Sequence, residues 1–139
     1  MAWYECASSP AYIIDSGAYI NNAFIQRTNG EEEPYTGWQA TPYIRVYGGE
    51  TLKFAIPAGW QDYNCWYDSN MTYISKFSFS ASGYITTTAP ANACYMRMSE
   101  QTGRMAYLMA WRDDGMFTRL GGLYSTQHNV ISTTYTVNS

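Results

Sequence analysis

The stretch Ala58-Gly59-Trp60-Gln61-Asp62-Tyr63 places an indole, a carboxamide, a carboxylate and a phenol within four consecutive positions. A saccharide offers an apolar C–H face that stacks on an aromatic ring, and hydroxyls that need polar partners. Trp60 therefore reads as a platform, with Gln61, Asp62 and Tyr63 as the polar surround. Trp111, beside Arg112 and Asp113, offers a second version of the same pairing. The structural alternative for Trp60 is a ring packed down as a lid or against another subunit. Trp38 and Trp66 lie in strand-like segments and read as core or sheet-face residues.

Other chemistry is thinly represented. Nucleophilic catalysis usually needs a base beside the nucleophile, and the single histidine, His128, sits in the polar stretch Ser125-Thr126-Gln127-His128-Asn129, which reads as a loop. Glycoside hydrolysis needs two carboxylates across a cleft. Asp68, Asp113 and Asp114 occupy turn positions, and Glu31-Glu32-Glu33 before Pro34 reads as a solvated acidic loop. Gly48-Gly49 and Gly121-Gly122 lack the Lys-Ser/Thr or strand-to-helix context of a phosphate loop. Asp113-Asp114-Gly115 could supply calcium ligands, but turn geometry explains it as well, so no metal and no cofactor is expected. Cys6, Cys65 and Cys94 are odd in number and lack metal-ligand spacing, which points to buried free thiols. The expectation is a protein that is not an enzyme and has no catalytic residues.

Aromatic residues make up 17% of the chain and charged residues 14%, against about 25% charged in an average soluble domain. Much of the surface must then be Tyr, Ser, Thr, Asn and Gly. Tyrosine serves well both on binding surfaces and in strands. A net charge of −3 lacks the cationic footprint that phosphate binding requires, so nucleic acid is not an expected partner. The start, Met1-Ala2-Trp3-Tyr4-Glu5-Cys6, has no basic segment followed by an apolar run, and no stretch is long and apolar enough to span a bilayer. A soluble chain made in the cytoplasm, without membrane insertion, is expected.

The elements that must carry these residues read as strands. Across 43–56, Ile44 and Val46 alternate with Tyr43, Arg45 and Tyr47, and Leu52, Phe54 and Ile56 alternate with Thr51, Lys53 and Ala55, around Gly48-Gly49-Glu50. Period two about a Gly-Gly turn predicts a hairpin with Ile44, Leu52 and Phe54 facing inward together. A second hairpin joins 63–67 to 72–77 through Asp68-Ser69-Asn70. Strands are predicted at 84–88 and 93–99, then at 105–111 and 116–120 around Asp113-Asp114-Gly115, and last at 130–137. A short hairpin flanks Asp15-Ser16-Gly17, and 29–34 reads as a loop. Without a sustained helical period, the pattern predicts an all-β, antiparallel β-sandwich or jelly roll in one domain over 1–139.

Residues 36–99 carry Thr41-x-Tyr43-Ile44-x-Val46, then Gly49-Glu50-Thr51-Leu52, then Tyr67-Asp68-Ser69-Asn70 followed by Tyr73-Ile74-Ser75. Thr88-Ala89-Pro90-Ala91-Asn92-Ala93 then leads into Tyr95-Met96-Arg97-Met98-Ser99. In order and spacing this segment resembles the carbohydrate-binding-module-like β-sandwich of tail-fibre and baseplate proteins of bacteriophages that infect Gram-positive and gut bacteria. The resemblance covers about half of the chain; the N- and C-terminal extensions are expected to pack on that core or on neighbours.

The resemblance implies a virion location and a structural protein on the particle surface, as a head decoration, auxiliary capsid, tail-fibre or baseplate component. Its expected partners are copies of itself, with a homotrimer favoured, and other virion proteins. The alternative is a module of the adsorption apparatus that binds a host cell-surface polysaccharide through Trp60, Gln61, Asp62, Tyr63 and Trp111.

Overall fold

The computed structural model describes residues 12–112, within which Ile13–Arg112 forms a compact unit. The ends of the single domain expected over 1–139, Cys6, Asp113-Asp114-Gly115, His128 and the strands predicted at 116–120 and 130–137 lie outside the described residues. Nine strands are described: β1 (Ile20–Ile25), β2 (Glu32–Ala40), β3 (Ile44–Arg45), β4 (Thr51–Ile56), β5 (Tyr63–Tyr67), β6 (Tyr73–Phe77), β7 (Gly83–Thr88), β8 (Tyr95–Gln101) and β9 (Met109–Arg112). They form two antiparallel sheets, one in the order β1-β2-β8-β5-β6 with β3 also on β8, the other β7-β4-β9. The chain is an all-β sandwich, as its alternating pattern predicts.

Period-two burial builds the interior between the sheets. On β4, Leu52 and Phe54 are fully enclosed and Ile56 nearly so, while the residues between them are half-exposed. From the large sheet come Trp66, Phe77, Met96 and Met98, all buried. Trp66 stacks on Phe77 with ring centroids 4.1 Å apart, and Phe54 meets Phe79 at 5.0 Å and Phe77 at 6.3 Å. Each such side chain removed from water contributes roughly 1.5–3 kcal/mol.

A second interior lies on the other face of the large sheet. The β1–β2 hairpin folds back there, and Ala23, Ile25 and Ala40 pack with Cys65 and Tyr67. The Ile25 amide donates to Ser99 Oγ of β8 at 2.9 Å, and Ser99 donates onward to the Tyr63 carbonyl at 3.0 Å. One hydroxyl thus joins three strands.

Several local expectations meet a different partner. The predicted 43–56 hairpin does not form: β3 pairs with β8 and β4 pairs with β7 and β9, in different sheets. Alternation fixes which face a strand buries and leaves its neighbour open. The Gly48-Gly49 turn carries the chain between sheets and is pinned to the 89–91 loop, where the Gly49 amide donates to the Ala89 carbonyl and the Ala89 amide to the Glu50 carbonyl. A Cβ on Gly48 would overlap the Ala91 carbonyl, so glycine is required at that crossing. Leu52 and Phe54 face inward as expected. Ile44 is only half-buried, because it borders a cavity of about 220 Å³ with Ile13, Tyr19 and Pro42.

The turn at Asp15 exists as a 3-10 turn, Ser16–Ala18, with Asp15 accepting from the Gly17 amide, but its flanks separate. Ile13 donates to Ala110, whereas Ile20 pairs with Ala40. The acidic run is not wholly a loop either, since Glu32 and Glu33 open β2. The strand expected over 105–111 is interrupted by a short helix, α1 (Thr102–Met105), and becomes extended only at Met109. The second hairpin forms as predicted. Asp68 Oδ1 accepts from the amides of Asn70 (2.8 Å) and Thr72 (3.0 Å), closing the turn between β5 and β6.

Candidate functional site

Two connections cross between the sheets at one place, 57–62 from β4 to β5 and 78–82 from β6 to β7. A cleft of about 270 Å³ lies between them, lined among others by Pro57, Trp60, Asp62, Phe79, Ser80 and Ser82. Trp60 is a half-buried wall. Its indole N–H donates to Asn64 Oδ1 at 3.1 Å, and the buried Asn64 in turn donates to the Phe77 carbonyl at 3.0 Å. Asp62 adopts a left-handed backbone, φ 65°, and its Oδ1 accepts from the Phe79 amide at 3.1 Å, tying one loop to the other. An aromatic wall facing hydroxyls and a carboxylate can take a flat, hydroxylated ligand.

The structure brings Trp60 and Asp62 together and places the other three predicted residues elsewhere. Gln61 turns to Glu100: its amide and its Nε2 donate to the two carboxylate oxygens at 2.7 and 3.1 Å, and Arg104 completes the cluster at 2.8 Å. Glu100 is fully buried, and these three donors satisfy a charge that would otherwise be costly there. Tyr63 joins an aromatic group with Phe24 and Trp38, with the Arg27 guanidinium 4.4 Å above its ring. Trp111 lies on β9 opposite Lys53, outside the cleft lining.

Two features escape the sequence reading. Ser80 and Ser82 belong to the run Ser78-Phe79-Ser80-Ala81-Ser82, legible in the sequence as Ser-x-Ser-x-Ser. The other is a chain of arginines over tyrosines: Arg97 over Tyr43 (4.8 Å), Arg45 over Tyr95 (5.7 Å) and over Tyr47 (5.0 Å), and Arg112 over Tyr47 (5.0 Å). Its signal is Tyr43-x-Arg45-x-Tyr47, one face of an extended segment. Arg112 also pairs with Glu50 at 2.7 Å, and the buried Arg97 pairs with Glu32 at 2.7 Å while its Nε donates to the Thr41 carbonyl.

Cys65 and Cys94 are free thiols, Cys65 buried and Cys94 half-buried. Burial pushes the Cys65 thiol up to about 12 and raises the Tyr67 phenol as well. Among the described residues no three His, Cys, Asp or Glu side chains gather as metal ligands, and no helix is long and apolar enough to cross a membrane. Comparison with family models, with curated proteins and with solved structures finds no match to this chain.

Proposed function

We propose that this chain is a non-catalytic structural protein on the surface of a bacteriophage particle, assembling through its β-sandwich with copies of itself and with neighbouring virion proteins. The observation that carries the assembly reading is how the polar and aromatic groups are used. Carboxylates that could serve chemistry hold the fold together: Glu100 anchors Gln61 and Arg104, Asp62 ties two loops, Asp68 closes a turn, and Glu50 holds Arg112. Meanwhile Tyr35, Tyr43, Tyr47, Tyr84 and Tyr107 stay exposed, giving amphipathic contact area at small entropic cost. The virion setting rests on the resemblance of residues 36–99. Mass spectrometry of gradient-purified particles carrying the encoding genome tests it, with the chain expected at a fixed copy number; particles that lack it reject the virion setting.

A second reading is favoured by the cleft itself. Trp60 with Asp62, Ser80 and Ser82 supplies a ring and polar groups for a host-surface glycan. On a glycan array, binding by the wild type that is lost in Trp60→Ala supports it. Equal binding by both, or by neither, rejects it.

A further inference from the structure

β7 is the terminal strand of the small sheet among the described residues, bonded to β4 along one flank. All six of its residues, Gly83 to Thr88, keep an unbroken register with β4. Among the described residues no strand other than β4 pairs with β7, and its outer flank is a row of amides and carbonyls. It lacks the bulge, proline and charge by which edge strands are usually blunted. Ile85 and Thr87 stand opposite Phe54 and Leu52 and share their inward face, yet both are half-buried where Phe54 and Leu52 are fully enclosed. Among the described residues, the interior between the sheets is thus incompletely covered along this flank. On the outward face Tyr84 is 86% exposed.

The geometry points to β7 as a pairing edge for a second copy of this chain, antiparallel, joining the small sheets of the two copies into one. This inference rests on the assembly reading above and names its contact. A two-fold axis sets a strand against its own sequence, and Gly-Tyr-Ile-Thr-Thr-Thr carries no charge to repel its image. Thr and Tyr are also favourable cross-strand neighbours. Alternation restricts the register, because residues directly opposite must share a face. The axis must pass through a residue, Ile85 or Thr86, and cannot fall between them. With the axis at Thr86, Ile85 meets Thr87 across it and covers the open flank, while Tyr84 meets Thr88 on the outer face.

Light scattering after size exclusion of the full chain tests the contact with two variants at an outward-facing position, Thr86→Lys and Thr86→Glu, each checked for wild-type circular dichroism and thermal unfolding. The wild type is expected at twice the chain mass or a multiple of it. Each variant alone should fall by half in mass, since like charges then face each other across the axis, and an equal mixture of the two should recover the wild-type mass. Folded variants that associate as the wild type does overturn the β7 contact and leave the assembly reading standing. A wild type that stays at single-chain mass at every concentration overturns both.

Discussion

The large sheet has two covered faces, and they are held in different ways. Against the small sheet it presents Trp66, Phe77, Met96 and Met98 to Leu52 and Phe54, a layer of rings and thioethers with little hydrogen bonding among its side chains. Under the β1–β2 hairpin the covered residues include Cys65, Tyr67, Arg97 and Ser99, and each of the last three makes specific bonds: Tyr67 to the Gly30 carbonyl, Arg97 to Thr41 and Glu32, Ser99 to Ile25 and Tyr63. The difference teaches that two layers of one sheet can be equally buried and yet fail for different reasons. The first depends on filled volume. The second depends on every polar atom keeping its partner.

The largest break is expected in the apolar layer. Phe54→Ala should lower unfolding stability by about 3–5 kcal/mol, because a fully enclosed ring leaves a cavity that its neighbours only partly fill. Phe54→Leu should cost clearly less, and chemical denaturation of both measures whether the loss follows the volume removed. In the polar layer Arg97→Met keeps most of the volume but strips the Thr41 carbonyl of its donor, for an expected loss of about 2–3 kcal/mol. If Arg97→Met proves neutral, the distinction between the layers fails.

Tyr67→Phe deletes a single oxygen whose bond to the buried Gly30 carbonyl is 2.6 Å long, and denaturant midpoints should shift by an amount equal to about 1–2 kcal/mol. The Cys65 thiol sharpens the contrast through pH. Its folded value is raised to about 12 from an ordinary 9.0, so the unfolded chain gives up its proton first and stability is lost as pH rises above the ordinary value. Between about pH 9 and pH 10 that component is about 1 kcal/mol. Replacing Cys65 with Ala should flatten the pH dependence of the unfolding midpoint over that range. Smallest of all, Glu32→Gln should cost under about 1 kcal/mol, because Glu32 is the solvent-facing partner of Arg97 and the Thr41 bond survives without it.

Local features of this architecture were legible in the sequence. The strands around Leu52, Phe54 and Ile56 and the Asp68 turn depend on neighbours within a few positions, and the structure shows both. Partners were not legible, because period-two alternation says which way a side chain points and nothing about the strand beside it. Pro42 helps limit β3 to two residues, and β4 finds its mates 27 and more residues onward. The same limit governs the cleft. Trp60 and Asp62 share it through local chain direction, while Gln61 is drawn off by Glu100, 39 residues away. Arg97 sits in a strand-like stretch of the sequence, Tyr95-Met96-Arg97-Met98-Ser99, which gives no sign that its guanidinium is enclosed. An arginine inside a β layer is uncommon, and only the fold brings the Thr41 carbonyl and Glu32 to it.

The Gly48 crossing means that the chain leaves the large sheet to begin the small one and later returns, and β9 joins the small sheet only at its far end. Neither sheet is continuous in sequence. On the ribosome, β4 must wait for residues 83–88 and then for 109–112 to emerge before both its flanks are paired. Through that interval its enclosed residues, Leu52 and Phe54, are available to any extended segment nearby. Synthesis should therefore be the stage at which this protein most depends on chaperones, and slowing translation upstream of Met109 should lengthen that dependence.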